Sequence, residues 1–199
     1  MKFVKNYWWP DHDNSQSPVK QVKDIEIALK YVEKFDCAIQ AGGNVGVWPN
    51  YLAERFKEVI TFEPIRENFE CLEINKRDNV TAYNYALSNV KERIGFYVLD
   101  GFHHTSIANY VNPKGSDYET ATIDDYDLSP NLIYLDINGY EYFALKGAER
   151  TICKHNPVIA FEKNPLAINY GAFDIELYLA QFGYKTVDKI NRDVICTNR

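Results

Sequence analysis

Two carboxylates and a histidine pair are the residues of this chain best suited to acid–base chemistry. Asp136 closes the apolar run "NLIYLDI", Glu162 closes "PVIAFE", and His103 and His104 stand in the polar stretch "GFHHTS". A carboxylate or imidazole at the rim of a cleft can act as general base, taking the proton of a hydroxyl as its oxygen attacks. Simple solvation is the plain alternative for the two histidines, although loops carry function disproportionately. A second constellation comes earlier. "IQAGGNVGVW" ends an apolar run in Gly42 and Gly43 and reads on as Gly42-x-Asn44-x-Gly46. Glu63 then closes the next apolar run, "EVITFEP", about twenty residues beyond the first glycine. Glycines at such a turn permit positive φ and clear side chains from a ligand's path. A carboxylate at that separation can accept hydrogen bonds from both hydroxyls of a ribose. Together they describe a cradle for an adenosine cofactor. The dinucleotide pattern GxGxxG would need glycine at Asn44, and a phosphate loop would need its lysine; neither is met.

The elements that must position these residues alternate. Asp24 can cap a helix whose apolar face is Ile25, Leu29 and Val32. "DCAIQAG" reads as a buried strand, and a helix marked by Leu52 and Phe56 follows the glycine turn. "EVITFEP" is the second strand, with Pro64 at the first position of the helix behind it, and "NVTAYNYAL" the third. The stretch from Ser88 to Asp127 gives strand-like "RIGFYVLD" and "ETATIDDY" around a polar loop. "NLIYLDI" precedes a helix from Glu141 to Ile152; "PVIAFE" precedes a helix from Phe173 to Phe182, stopped by Gly183. Such alternation predicts a parallel, doubly wound sheet covered on both faces. "YKTVDK" and "RDVICT" break the rule: Ile190 and Asn191 alone separate them, too short for a parallel crossover, so they form an antiparallel hairpin.

With 199 residues and 46% hydrophobic content, the chain can bury a core of its own as one domain. We expect an N-terminal extension, 1–23, packed on a single domain, 24–199. The adjacent aromatics Tyr7, Trp8 and Trp9 suit packing better than recognition of a sugar or base. The net charge of -6 argues against a nucleic-acid partner. The lack of an eighteen-residue apolar run or a signal-like start points to a cytoplasmic protein with no membrane partner. Four scattered cysteines without CxxC spacing argue against a zinc site and a disulfide framework, and nothing calls for a metal.

"FDCAIQAGGNVG", "ITFEPIRENFECLEIN", "YALS", "LIYLDINGYEYFALKGAE" and "NPVIAFE" together resemble the FkbM-type S-adenosylmethionine-dependent methyltransferases, in order and spacing, from about Phe35 to Glu162. The "WWPDHD" start resembles the extension of phage-associated members. The resemblance implies a Rossmann-like class I methyltransferase fold, α/β and mostly parallel with a C-terminal antiparallel hairpin. The implied cofactor is S-adenosylmethionine and the implied acceptor a small molecule or glycan hydroxyl. It places Gly42, Asn44 and Gly46 around the methionine moiety, with Gln40 and Gly43 on the same turn. Glu63 would hold the ribose with Pro64 beside it, and Tyr85 and Ala86, next to Asn84, would border the adenine. Asp136 would stand nearest the sulfonium, with Glu141 opening the helix after it; the helix dipole alone also favours a carboxylate there. The base would come from Asp136, Glu162, His103 or His104. Three positions depart from the pattern: Gln40 replaces an aspartate, Tyr134 the lysine and Asn138 the first glutamate of "KIDVEGAE". The alternatives are an NAD(P)-dependent oxidoreductase, disfavoured by Asn44 and the hairpin, and a catalytically inactive binding module.

Overall fold

A computed structural model describes residues 1–13, 16–98, 109–112, 114–165 and 174–199. The chain opens with a small hairpin, β1 (Lys2–Val4) and β2 (Tyr7–Trp9), followed by α1 (Ser17–Gln21), a 3-10 turn (Val22–Ile25) and α2 (Glu26–Leu29). Then come β3 (Cys37–Ala41), α3 (Val47–Ala53), β4 (Glu58–Phe62), α4 (Arg66–Asn75) and β5 (Val80–Tyr83). A smaller sheet is inserted next: β6 (Ala86–Leu87), β7 (Arg93–Val98), β8 (Asn109–Asn112) and β9 (Tyr118–Ala121), closed by a 3-10 turn (Ile123–Tyr126). The last part holds β10 (Leu132–Leu135), α5 (Glu141–Lys146), α6 (Glu149–His155), β11 (Val158–Glu162), α7 (Ile175–Ala180), β12 (Lys185–Ile190) and β13 (Asp193–Thr197).

The central sheet runs β12-β13-β11-β10-β3-β4-β5. Its pairs from β11 to β5 are parallel, while β13 runs antiparallel to both β11 and β12. β3, β10 and β11 are buried along their whole length because both faces are covered. Ile39, Ile60, Ile133 and Ile159 face α5, α6 and α7, whereas Ala38, Val59, Leu132 and Ala160 face α3 and the N-terminal segment. The N-terminal hairpin is tied down by Trp9, which is 0% exposed, and by Asn75 of α4, whose side chain bonds the Trp8 backbone in both directions.

Several elements depart from the sequence reading for local reasons. The first helix begins at Ser17 with Pro18 in its first turn, and Asp24 sits inside the 3-10 turn, where it accepts a hydrogen bond from Asn191 instead of capping. The expected boundary between 23 and 24 thus falls inside a turn. "NVTAYNYAL" is two strands, split where Asn84 donates to the carbonyls of Glu63 and Pro64. "ETATIDDY" leaves the strand at Thr122, where Thr122 and Asp125 form a reciprocal capping box. Part of the expected polar loop is β8, paired with β7. The single helix expected from Glu141 to Ile152 breaks at Gly147, where a Cβ would stand 2.1 Å from the Ser88 carbonyl oxygen. Pro64 lies before α4, which starts at Arg66 behind Ile65.

Candidate functional site

Strand order reverses between β3 and β10, since β4 lies on one side of β3 and β10 on the other. Ligands of open α/β sheets bind at the carboxyl ends of the strands at such a point. A cleft opens there, lined by the turn after β3, the end of β4 and the loop after β10.

Its first wall is the turn after β3. Gly42, Asn44 and Gly46 have φ of 84°, 46° and 97°, so left-handed residues alternate through the turn. That alternation explains why glycine, asparagine and glycine stand at these positions: asparagine is the side chain that tolerates this conformation best. Gly42 meets a second demand, because a Cβ on it would lie 2.0 Å from the carbonyl oxygen of Asp136. The turn is fixed to β4 by the Gly42 and Gly43 N–H groups, which both donate to the Phe62 carbonyl at 3.1 and 2.9 Å.

Glu63 forms the next wall. Its carboxylate accepts from the Asn44 N–H at 2.8 Å and the Ile65 N–H at 2.9 Å, and more distantly from the Asn68 amide. Burial pushes its carboxyl up to about 7, against the opposing pull of those donors. Its Oε1 already accepts from Ile65 and Asn68, and its Oε2, which accepts from Asn44 alone, keeps a lone pair for a further donor. Pro64, Ile65, Tyr85, Ala86, Leu87 and Phe96 continue from Glu63 as a mostly apolar slot. The other end is polar, formed by Asn44, Asp136, Asn138, Ser17 and Gln21 beside Trp48. Asp136 is half-buried, and its carboxyl is held well above the usual range by burial and then by Glu162, Glu141 and Asp193, with Arg192 opposing.

The cleft therefore brings together Gly42, Asn44, Glu63, Pro64, Tyr85, Ala86 and Asp136. It does not include Gln40, Gly43, Gly46, Glu141 or Glu162 in its lining. Gln40 is 0% exposed: its amide donates to the carbonyls of Ala41 and Gly42 and accepts from Thr61, so the side chain ties the turn from behind. Gly43 makes room for protein rather than ligand, because a Cβ there would meet Leu72 and Thr61 at 2.7 Å. Gly46 caps α3. Glu162, outside the lining of the cleft, pairs with Arg192 at 2.5 Å and accepts from Asn164 at 3.2 Å. His103 and His104 lie outside the described residues. Sequence reasoning missed Ser17, Pro18 and Gln21, which reach the cleft from α1, and Phe96 from the inserted sheet. No motif marks them; only the burial of Trp9, which fixes the N-terminal segment against the domain, explains the first three.

Residues 40–186 match the family model described as the methyltransferase FkbM domain. The chain belongs to the FkbM methyltransferase family. That membership implies S-adenosylmethionine as the cofactor. Solved structures agree on the fold. The methyltransferase FkbM of Methylobacillus flagellatus is 20% identical with a TM-score of 0.53, over 81% of this chain. This chain spans 42% of that protein. Precorrin 8W decarboxylase of Methanobacterium thermoautotrophicum is 14% identical with a TM-score of 0.56, covering 99% of both chains. A SAM-dependent methyltransferase of Aquifex aeolicus is 13% identical with a TM-score of 0.52, over 92% of this chain and 94% of its own. No curated protein matches the sequence. Among the described residues, no helix is long and apolar enough to cross a membrane.

The departures from the FkbM pattern have structural counterparts. Tyr134 is buried, stacks on Trp48 with ring centroids 5.1 Å apart and donates a hydrogen bond from its hydroxyl to Asp193. Asn138 and Gly139 take φ of 56° and 98°, a left-handed pair that turns the chain beneath the cleft. Asparagine suits that conformation better than the glutamate it replaces.

Proposed function

We propose that this FkbM domain binds S-adenosylmethionine in the cleft at the β3–β10 reversal and transfers its methyl group to a hydroxyl of a small molecule or sugar. The observation that carries the reading is the hydrogen bond from the Asn44 N–H to Glu63, which joins the left-handed turn to the acid closing β4. In this assignment Glu63 accepts from the ribose hydroxyls, and Tyr85 and Ala86 flank the adenine together with Ile65, Leu87 and Phe96. Gly42, Asn44 and Asp136 surround the methionine end. Gln40, Gly43 and Gly46 act from behind, by holding the turn in shape.

S-adenosylmethionine supplies an already activated methyl group on a sulfonium. The protein's task is alignment, which contributes on the order of 7–11 kcal/mol in favourable reactions. Asp136 takes the proton of the attacking hydroxyl, and burial together with Glu162, Glu141 and Asp193 raises its affinity for that proton. Glu162 is committed to Arg192 and is the weaker candidate base. Isothermal titration of S-adenosylhomocysteine tests the cofactor assignment. We expect tight binding and none of NAD(H); the reverse result would overturn it. Turnover on a panel of hydroxyl acceptors, followed as methyl addition by mass spectrometry, tests the reaction. Binding without turnover on any of them would instead favour a non-catalytic module.

A further inference from the structure

The side-chain amide of Asn75, the last residue of α4, holds two distant parts of the chain at once. Its Oδ1 accepts from the Trp8 N–H and its Nδ2 donates to the Trp8 carbonyl, both at 2.9 Å, so it pairs with β2 as a neighbouring strand residue would. The same Nδ2 donates to the Val45 carbonyl at 2.8 Å, inside the turn after β3. Val45 is 0% exposed. Pro49, four residues on where a helix would supply an N–H, has none to give that carbonyl. A buried carbonyl without a donor is costly, so the turn depends on Asn75. The main-chain carbonyl of Asn75 accepts in turn from the Asn50 amide at 2.8 Å, which fixes the end of α4 against α3.

The segment that follows β2 is what this attachment carries toward the cleft. Trp9 anchors it in the core, and Ser17 and Gln21 of α1 then line the polar end of the cleft beside Trp48. Gly42 and Asn44 of the turn line the cleft as well. One amide therefore ties the turn to the segment that delivers α1. Gln40, at the end of β3, is spent on the Ala41 and Gly42 carbonyls and on Thr61. Gln21, by contrast, is exposed at the cleft. Its amide can accept from an ammonium or donate to a carboxylate, and an amino-acid group presents both.

We propose that Asn75 is a positioning residue for the cofactor: it docks the N-terminal hairpin and shapes the turn after β3 together, so that Gln21 and the turn close on the amino-acid end of S-adenosylmethionine. The inference rests on the cofactor assignment above. It adds that docking of the hairpin and binding of that end are coupled.

Two ligands separate the ends of the cofactor: S-adenosylhomocysteine, and methylthioadenosine, which keeps the nucleoside and the sulfur but lacks the amino-acid group. In isothermal titration of the full chain, Asn75→Ala should weaken S-adenosylhomocysteine about fivefold or more and methylthioadenosine less than about twofold. Gln21→Ala should give a split in the same direction with the melting temperature unchanged, and keeps the test decisive if Asn75→Ala folds poorly. Asn75→Asp keeps the acceptor for the Trp8 N–H but turns an oxygen on the Trp8 and Val45 carbonyls, so it should not restore binding. Saturating S-adenosylhomocysteine should slow amide hydrogen exchange across the N-terminal hairpin in the wild type and not in Asn75→Ala. A purely structural Asn75 would lower the melting temperature and weaken both ligands alike. Equal losses for the two ligands, unchanged affinities in Asn75→Ala or Gln21→Ala, or a hairpin that gains no protection overturns the proposal. Wild-type protein that binds neither ligand would overturn the cofactor assignment and this inference with it, a result distinct from equal losses.

Discussion

Consider titrating S-adenosylhomocysteine into the protein between about pH 6 and about pH 8, across the value of about 7 to which burial lifts Glu63. Ribose hydroxyls donate to the carboxylate, so the ionised form is the one that binds. Over that range its population climbs from about one tenth to about nine tenths, and the affinity should rise close to tenfold, about 1.4 kcal/mol. Stability moves the other way. The folded value lies above the ordinary 4.5, so the native state holds a proton that the unfolded chain has released. This contribution, about 3 kcal/mol at most, is fully present below pH 4.5 and is lost as pH rises through about 7. Glu63→Gln is the control. Asp136, Glu141 and Asp193 titrate in both proteins, so the difference between the two pH slopes belongs to Glu63. The variant orphans one of the two backbone N–H groups at 2.8 and 2.9 Å, at a cost of about 1–3 kcal/mol, and should bind the ligand weakly at every pH. Isothermal titration in buffers of different ionisation enthalpy reads the proton released on binding. Equal pH slopes in the wild type and the variant would refute the role given to Glu63.

Two further perturbations test the frame around the site. Gly42→Ala places a Cβ 2.0 Å from the Asp136 carbonyl oxygen at a φ of 84°. The backbone term alone costs about 1–2 kcal/mol, and moving β10 adds to it, so both the melting temperature and S-adenosylhomocysteine binding should fall; a variant with wild-type affinity contradicts the tight approach of turn and strand. Trp9→Ala empties a fully buried site and should cost about 3–5 kcal/mol in urea denaturation, whereas Trp8→Ala, at a residue 38% exposed and resting on Phe3, should cost far less. Equal effects would deny the N-terminal hairpin its place in the core.

The central sheet is legible in the sequence because its strands are short apolar runs closed by turn residues, and periodicity and punctuation agree there. The turn at Gly42 is legible for the same reason, since glycine and asparagine mark left-handed backbone wherever it occurs. What escapes the sequence is long-range. Gly147 looks like an ordinary helical glycine until the Ser88 carbonyl is found against it, and Asn84 ends a strand through bonds to Glu63 and Pro64, twenty or so residues away in the chain. The contributions of Ser17, Pro18 and Gln21 to the cleft depend on where the N-terminal segment docks, which no local pattern encodes. Glu141 shows the limit most plainly. Its position at a helix start suggests a dipole contact, but its two oxygens have different fates, one holding the loop and the other left open.

The substitutions that set this chain apart from the FkbM pattern bear on whether it retains a working site. Read in the sequence, Gln40 in place of aspartate removes a charge expected opposite the methionine ammonium. In the structure that position does not face the cleft, and the Gln40 amide bonds the Ala41 and Gly42 carbonyls and Thr61. A carboxylate at the same place would repel both carbonyls, so glutamine here stabilises the left-handed turn. Tyr134 in place of lysine likewise points to Asp193 and Trp48, and leaves Asp136 as the acidic side chain at the polar end of the cleft. Asn138 lines the cleft, but it supplies the left-handed backbone that lets Glu141 accept from Ile137 and Gly139. Each departure is thus absorbed by the backbone that shapes the cleft, while the groups that would meet the ligand, Asn44, Glu63 and Asp136, stay in place. On that ground the chain is better read as an enzyme with a rebuilt supporting layer than as a binding module that has lost its catalytic groups.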